Sequence, residues 1–441
     1  MNLNSLIKYI YDMDEESLKS KMRLYRRLIH SNPEKGWMEY CTAVIVSREL
    51  CRLGFEVKCG AELMDMSFAM GLPSDEENNL AFSKALDKYS IDELRPFKDN
   101  RTAVAGVLNL GKEKTIAVRC DMDALPIYES TFIGHIPFKE GFSSLNKGIM
   151  HSCGHDLHVA MGLGLACLLS ENMDSLQANV ILVFQPAEEG VRGSATIVKS
   201  GFLDVVDCVL STHVWSNMSV GKIVCCQNGT SSTHKFDVIF RGKSSHAGIC
   251  PEKGNNALLA AATAVVDLHS LVDSFEEEVR VNVGKIEGGV ARNIIADYSK
   301  LELELRSKDI DTENLLKDRA IGVIQDAAYK QSCLYEIIKQ GEALGAKGTE
   351  NISRIIKNVA VNSSFFNNVV LNDEVNRGCE DFSTMMNYVI DRGGEACFIG
   401  VGAALDGKEF SHHSCDFDVS EDVMLPVIKL LYNVICAYDV V

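Results

Sequence analysis

No apolar run in this chain of 441 residues approaches the roughly 20 that a helix needs to cross a bilayer, so no membrane association is expected. The N-terminus, Met1-Asn2-Leu3-Asn4-Ser5-Leu6-Ile7-Lys8, lacks a basic region followed by a long apolar core, and predicts no secretory signal. Basic charge is in deficit: 44 Lys and Arg against 61 Asp and Glu leave a formal net charge of −17. General nucleic-acid binding needs basic surface and is excluded, whereas a locally cationic small-molecule site is not. A regular cysteine framework is also missing. The 15 cysteines are scattered and odd in number, with Cys225 and Cys226 adjacent, which in a chain this large points to free thiols and a cytoplasmic location. No internal repeats or low-complexity tracts stand out. An apolar content of 46% with 24% charged residues is that of an ordinary globular protein, long enough for two to four domains.

What the chain contains is concentrated. Met150-His151-Ser152-Cys153-Gly154-His155-Asp156-Leu157-His158 packs three histidines, a cysteine and an aspartate into nine residues. Cys153 and His155 are borderline-soft metal ligands whose spacing sets them side by side on a turn. The apolar run Val159 to Leu169 predicts a buried helix directly after it. Alone, the cluster reads as a metal site or as a redox or structural cysteine. Three other apolar segments end in ligand-type residues: Thr115 to Asp123 in two aspartates, Val180 to Gly190 in Glu188 and Glu189, and Val209 to Val214 in His213. Any one of these reads equally as a loop acid or a core histidine. Together they place ligand-type side chains past strand ends, where the crevice of an open α/β sheet lies. One carboxylate of an adjacent pair suffices as a ligand. The other can act as general base on water and then as acid to a leaving amine. Ser411-His412-His413-Ser414-Cys415-Asp416-Phe417 adds a further histidine pair.

The coarse reading gives helices at Glu15–His30 and Ala43–Leu53, a short strand at Phe55–Val57, and a polar insertion near residues 62–99 with a helix at Leu80–Lys88. Strands and helices then alternate to about residue 225, the signature of a mostly parallel sheet. From Lys235 to Ile338 the pattern becomes β-α-β-β-α-β, the ferredoxin-like order. The expected architecture is an α/β catalytic domain over 1–229 and 343–441, with an inserted α+β lid and dimerisation domain at 230–342.

Five ordered motifs carry a resemblance that spans almost the whole chain. They are Arg119-Cys120-Asp121-Met122-Asp123-Ala124-Leu125-Pro126, the His151–His158 cluster, Gln185-Pro186-Ala187-Glu188-Glu189-Gly190, Ser245-His246-Ala247-Gly248 and Gly378-Cys379-Glu380-Asp381-Phe382. The chain resembles the amidohydrolase branch of the aminoacylase/carboxypeptidase-G-like metallopeptidases, which includes auxin-amino-acid hydrolases, hippurate hydrolases and N-acetyl-diaminopimelate deacetylases. Gly36-Trp37-Met38-Glu39, Met70-Gly71-Leu72-Pro73 and Arg280-Val281-Asn282-Val283-Gly284 are most similar to the A-type group of p-aminobenzoyl-glutamate hydrolases within it.

The resemblance implies a metal-dependent hydrolase of N-acyl amino acids, p-aminobenzoyl-glutamate among them, with two divalent ions, Mn²⁺ or Zn²⁺, in each protomer. It implies Cys153, His155, Glu189, His213 and His413 as ligands, His413 standing four residues before Phe417. It implies Glu188 as general base, Asp123 as support to a ligand, and His246 as oxyanion donor. Without the resemblance, His246 reads as a surface histidine. His151 and His158 read as structural. Arg292 and Asn293, in a Gly-rich connection, are candidates for holding a substrate carboxylate, a geometry that suits a guanidinium, or else belong to a solvated loop. Two positions depart from the pattern: Ala296-Asp297 stands where the family usually has Pro, and Cys379 where it has Ser or a similar small residue. The expected partners are a second copy of the chain and a related B-type subunit. The competing reading is a non-catalytic binding or regulatory subunit of the same fold, which the intact Glu188 and ligand set disfavour.

Overall fold

The computed structural model describes residues 14–375, 378–405 and 410–438; the N-terminal segment Met1–Lys8 lies outside them. The larger of two sheets contains β1 (Glu56–Cys59), β2 (Val104–Leu108), β3 (Thr115–Asp121), β4 (Asn179–Gln185), β5 (Cys208–Trp215), β6 (Lys222–Gln227), β11 (Asn368–Asp373) and β12 (Glu395–Gly402). Their order is β1-β2-β4-β3-β5-β12-β6-β11. The central strands alternate between two cores. Val118, Leu182 and Leu210 face one, while Ala117, Ile181 and Val209 face the other. Strands buried on both faces read as continuous apolar runs, which is why they are plain in the sequence.

Four of the seven strand pairings in this sheet are parallel, as expected, and three are antiparallel. β3 runs parallel to β4 and β5, β12 to β5, and β11 to β6. The pairs β1/β2, β2/β4 and β6/β12 are antiparallel. Parallel neighbours need a crossover of about a dozen residues. The links at residues 109–114 and 216–221 are too short for that, and each reverses the chain.

Helix α1 (Glu15–His30) opens on Asp14, whose carboxylate accepts from the Ser17 backbone N–H at 2.8 Å. Helix α2 (Tyr40–Arg52) packs on the same face of the sheet as α1. Helix α3 spans Asp75–Leu86 and begins five residues before the predicted Leu80. Its first turn is polar and exposed, so apolar periodicity misses it, but the capping box of Ser74 and Glu77 marks it. Helix α4 (His155–Glu171) likewise starts before Val159, because its first turn carries His155, Asp156 and His158. It is preceded by Gly154 at φ +93°, where a Cβ would lie 2.6 Å from Val214 Cγ2. The buried Arg26 of α1 reaches Asp156 of α4 at 3.1 Å, Asp418 at 2.5 Å and Glu421 at 3.2 Å. It thereby ties both ends of the described chain to the cluster helix.

A second, antiparallel sheet has the order β10-β7-β9-β8. Along the chain run β7 (Ser232–Arg241), α5 (Ala257–Ser270), β8 (Val279–Gly288), β9 (Tyr298–Ser307), α6 (Ile310–Lys330) and β10 (Leu334–Ala343). This element order matches the one read from the sequence. The two helices cover one face, where Phe236, Val238, Leu303 and Leu305 meet Ala260, Ala264, Leu316 and Ile324 in a separate core. The stretch Ala257–Ser274 is apolar enough by composition to cross a membrane. One face of α5 instead packs on the sheet through Ala257, Ala260, Ala261, Ala264 and Leu268. Helices α7 (Glu350–Val361), α8 (Phe382–Asp391) and α9 (Met424–Ala437) complete the larger unit.

Replacing Arg26 by Ala leaves the buried Asp418 without its cation and Asp156 with His30 alone, an effect of about 3–5 kcal/mol. A marked drop in thermal midpoint is expected; a midpoint unchanged within a degree would show that the pairs hold nothing together.

Candidate metal and catalytic site

The carboxyl ends of the parallel strands β3, β4 and β5 converge with the loop after β12. After β4, Ala187 and Val191 adopt positive φ of 52° and 61°, and Gly190 one of 90°. Left-handed backbone is costly for a β-branched residue such as Val191 and tends to cluster at functional sites. Two buried carboxylates hold the turn in shape. Asp123 accepts the backbone N–H groups of Glu188 and Glu189, both at 3.0 Å, and Glu39 accepts that of Ala187 at 2.8 Å. Burial and the neighbouring Asp123 push the Glu39 carboxyl up to about 8.

The turn aims its carboxylates at sulfur and nitrogen donors. Cys153, His155 and His213 form one group whose donor atoms lie within 4.8 Å of one another; Cys153, Glu189 and His413 form a second, and His155, Glu188 and Glu189 a third. Cys153 Sγ is 3.6 Å from His213 Nε2, and His413 Nε2 is 3.4 Å from Glu189 Oε1. His155 Nδ1 meets the Asp123 carbonyl at 2.9 Å, and His213 Nδ1 meets the Val214 carbonyl at 2.8 Å. A carbonyl only accepts, so each ring carries its proton on Nδ1 and offers the Nε2 lone pair. His413, half-exposed and at φ +64°, is the most open of the set.

His158 has both nitrogens engaged, by Asp121 Oδ1 at 2.6 Å and by the Val214 N–H at 3.2 Å. His151 is buried with neither nitrogen hydrogen-bonded, and burial holds it down at about 4. His246, Arg292 and Asn293 sit together at one end of the second sheet, where Ala247 N–H donates to the Asn293 carbonyl at 3.0 Å. All three are exposed, and none lines the cleft that holds the ligand groups.

The donor set fits divalent cations on three counts. His155 Nε2 and Glu189 Oε1 are buried without a hydrogen-bond partner. Such an orphan costs about 1–3 kcal/mol, which a cation between them would remove. Burial, reinforced by the Glu380, Glu189 and Asp381 carboxylates, pushes the Glu188 carboxyl well above its ordinary range. Burial and Glu189 do the same to the Cys153 thiol. Positive charge in the cleft would reverse both shifts. One thiol with imidazoles and carboxylates suits Zn²⁺ or Mn²⁺.

Sequence reasoning assigned no role to several residues beside the site. Arg119 is fully buried and bonds Asp121 at 2.6 Å, Glu380 and Asp381 at 3.0 Å each, and Gln185 at 2.9 Å. His412 Nδ1 lies 3.7 Å from Cys153 Sγ. Trp215 stacks on His213 with centroids 4.3 Å apart. Arg119, Asp121, Glu380 and Asp381 all lie inside motifs; what was lacking was their mutual contact. The cleft measures about 270 Å³. A larger groove of about 910 Å³, bounded by α1, α7 and α9, is lined by neither His nor Cys, so its size does not make it the site.

Residues 117–437 match the family model of peptidase family M20/M25/M40. The chain is 34% identical over 417 residues to the A component of p-aminobenzoyl-glutamate hydrolase from Escherichia coli (strain K12), covering 94% of this chain and 95% of that one. It is 35% identical over 416 residues to indole-3-acetyl-aspartic acid hydrolase of Enterobacter agglomerans, with the same coverage. The crystal structure of an aminobenzoyl-glutamate utilization protein from Klebsiella pneumoniae superposes with a TM-score of 0.82 at 31% identity, covering 96% of this chain and 98% of that one.

Cys153→Ser is expected to lower bound divalent metal and hydrolytic rate together, since a hydroxyl is a poor ligand where a thiolate is a good one. Elemental analysis beside kinetics checks it. Full occupancy at full rate would remove Cys153 from the ligand set.

Proposed function

The chain belongs to peptidase family M20/M25/M40 and is an enzyme acting on amides; from that premise we propose that it hydrolyses N-acyl amino acids with two divalent ions held by Cys153, His155, Glu189, His213 and His413. The observation that carries this reading is the buried pair Glu188–Glu189. Glu189 lies among the sulfur and imidazole donors, while Glu188 Oε2 stands 3.8 Å from His155 Nε2. When bound, such ions supply Lewis acidity that acidifies a water and polarises a carbonyl. Glu188 takes the proton of the attacking water and returns it to the departing nitrogen. Asp123 keeps both glutamates in position through their backbone N–H groups.

The acyl group and the amino acid are open to the same reading. Two relatives of nearly equal similarity are named for p-aminobenzoyl-glutamate and for indole-3-acetyl-aspartic acid, both aryl conjugates of an acidic amino acid. Trp215, stacked beside His213, offers an aromatic wall for the acyl ring. p-Aminobenzoyl-glutamate is therefore the first substrate to test.

His246 fits an oxyanion donor in its hydrogen bonding. Its Nδ1 accepts the Gly248 and Ile249 N–H groups at 3.1 Å each, so Nε2 carries the proton and can donate. Residues 230–342 would bring it to the cleft as a lid, by closure or from a second copy, and Arg292 with Asn293 would then hold the substrate α-carboxylate. A homodimer through this unit is supported by the outward face of α5, where Leu258, Leu259 and Val266 are exposed, and by the free edge of β8. A B-type partner is suggested by the Escherichia coli relative, which is named as one component of a hydrolase with more than one kind of chain.

Chelation should abolish hydrolysis and Mn²⁺ or Zn²⁺ restore it, which separates an enzyme from a non-catalytic binding protein. Glu188→Gln should keep its metal and lose ~10³-fold or more in kcat; loss of metal instead would exchange the roles of Glu188 and Glu189. His246→Ala should reduce kcat strongly with metal intact. Arg292→Ala should raise KM for conjugates with a free α-carboxylate and spare the α-amides. A strict monomer in light scattering would rule out the homodimer.

A further inference from the structure

Two imidazoles approach the Cys153 sulfur at nearly equal distance and present it with opposite chemistry. His213 Nε2 lies 3.6 Å from Sγ and His412 Nδ1 lies 3.7 Å from it. His213 carries its ring proton on Nδ1, where it meets the Val214 carbonyl at 2.8 Å, and so turns a lone pair toward the sulfur. His412 is set the other way round. The backbone N–H of Ser216, which can only donate, reaches His412 Nε2 at 3.4 Å. Nε2 therefore accepts, and the ring proton stands on Nδ1, directed at the sulfur. A lone pair beside the sulfur is what two ligands of one ion offer. An N–H beside it is what a hydrogen-bond donor to a bound thiolate offers.

The ring is held in that orientation by the strand that also carries His213. Ser216 directly follows β5 and is itself fixed, its hydroxyl donating to the Phe410 carbonyl at 2.7 Å. Trp215 and Phe417 pack against the half-buried His412 ring with centroids 5.1 and 4.9 Å away. Cys153 is the donor common to two ligand groups, one completed by His155 and His213 and the other by Glu189 and His413. A hydrogen bond at this sulfur therefore acts on both groups at once. An N–H···S bond withdraws charge from a thiolate and makes it a weaker, harder donor. Soft sulfur favours Zn²⁺, and a hardened one concedes part of that advantage to Mn²⁺. We infer that His412 is a positioning residue whose Nδ1–H hydrogen-bonds the Cys153 thiolate, orients it between the two ligand groups and shifts the preference of the site from Zn²⁺ toward Mn²⁺. This rests on the ligand set proposed above, to which His412 is added as a hydrogen-bond donor and not as a ligand.

The test separates the N–H from the ring that carries it. His412→Phe keeps an aromatic ring between Trp215 and Phe417 without the donor. His412→Asn keeps a donor without the ring, since an Asn amide nitrogen stands close to where His Nδ1 did. His412→Leu repeats the first arm with a smaller side chain, should Phe not be accommodated. The probe is the full chain loaded with Co²⁺, whose bond to a thiolate gives a charge-transfer absorption band that reports on the sulfur itself. In His412→Phe and His412→Leu the band should move to longer wavelength, because a thiolate relieved of its hydrogen bond gives up charge more easily. The ratio of Zn²⁺ to Mn²⁺ affinity, measured by competition with a chelator, should rise about 10-fold in the same variants. His412→Asn should keep both the band and the ratio near wild type. The reverse pattern, with Asn shifted and Phe at wild type, would make His412 a packing residue and overturn the bond. A band and a ratio indifferent to all three substitutions would overturn it as well, while the band itself would leave Cys153 a ligand. Co²⁺ bound to the wild type with no such band would instead remove Cys153 from the ligand set, and the bond with it.

Discussion

A fully buried guanidinium organises the floor of the site. Arg119 projects from β3 and bonds Asp121 on its own strand, Gln185 at the end of β4, and Glu380 and Asp381 before α8. Three carboxylates without that cation would face an electrostatic cost no domain of ordinary stability can bear. With it, strands β3 and β4 and the segment 380–381 are locked in register. Asp381 extends the lock by accepting the Gly193 and Ser194 N–H groups at 3.0 and 2.9 Å, which fixes the chain just after the Glu188–Glu189 turn. Burial still pushes Asp381 up to about 7. The charge there is only partly balanced.

That balance divides the acids into two rows. The back row of Asp121, Glu380 and Asp381 shares the single cation Arg119. The front row of Glu188 and Glu189 makes no direct ion pair with a guanidinium or ammonium among the described residues and instead faces Cys153 and the imidazoles. The same physics explains why the front row is suited to cations and why Glu188 can hold a proton. A carboxylate crowded by others and shielded from water binds a proton more readily than one in solvent. Asp123 belongs to neither row. It accepts backbone N–H groups and shapes the turn.

Much of this was legible in the sequence, and the limits have physical causes. The central strands announced themselves because both faces are buried, and Glu15–His30 because its apolar stripe keeps helical period. Each ligand group sits in a motif at a strand end. Strand β11 and helix α8 were not assigned: β11 is an edge strand whose residues are half-buried or exposed. The mixed pairing was hidden because direction is set by connection length and by partners far along the chain. Arg119 and Glu39 were quoted as motif residues without roles, since a buried charge is intelligible only with its partners in view. The grouping of Lys235 and Arg306 around Glu304 had no motif at all. Lys235 and Arg306 are separated by most of the second unit and become neighbours through cross-strand register.

The same register bears on how the second unit communicates with the site. Strand β10 runs beside β7 with an irregularity between Lys339 and Gly341. At that point the backbone comes so close to the carboxylate turn that a Cβ on Gly341 would lie 2.1 Å from the Gly190 carbonyl oxygen. The next residue, Glu342, donates its N–H to the Val191 carbonyl at 2.9 Å. The strained segment Ala187–Val191 is therefore clamped on one side by Asp123 and Glu39 and on the other by a strand of the second sheet. His234 reinforces the second clamp, buried between Glu313 at 3.0 Å and Glu342 at 2.7 Å. A rigid-body shift of the second unit would act on the backbone that carries Glu188 and Glu189 as well as on the walls of the cleft. The second unit is thus mechanically joined to the turn that carries Glu188 and Glu189, and glycine at 341 is what makes the joint close enough.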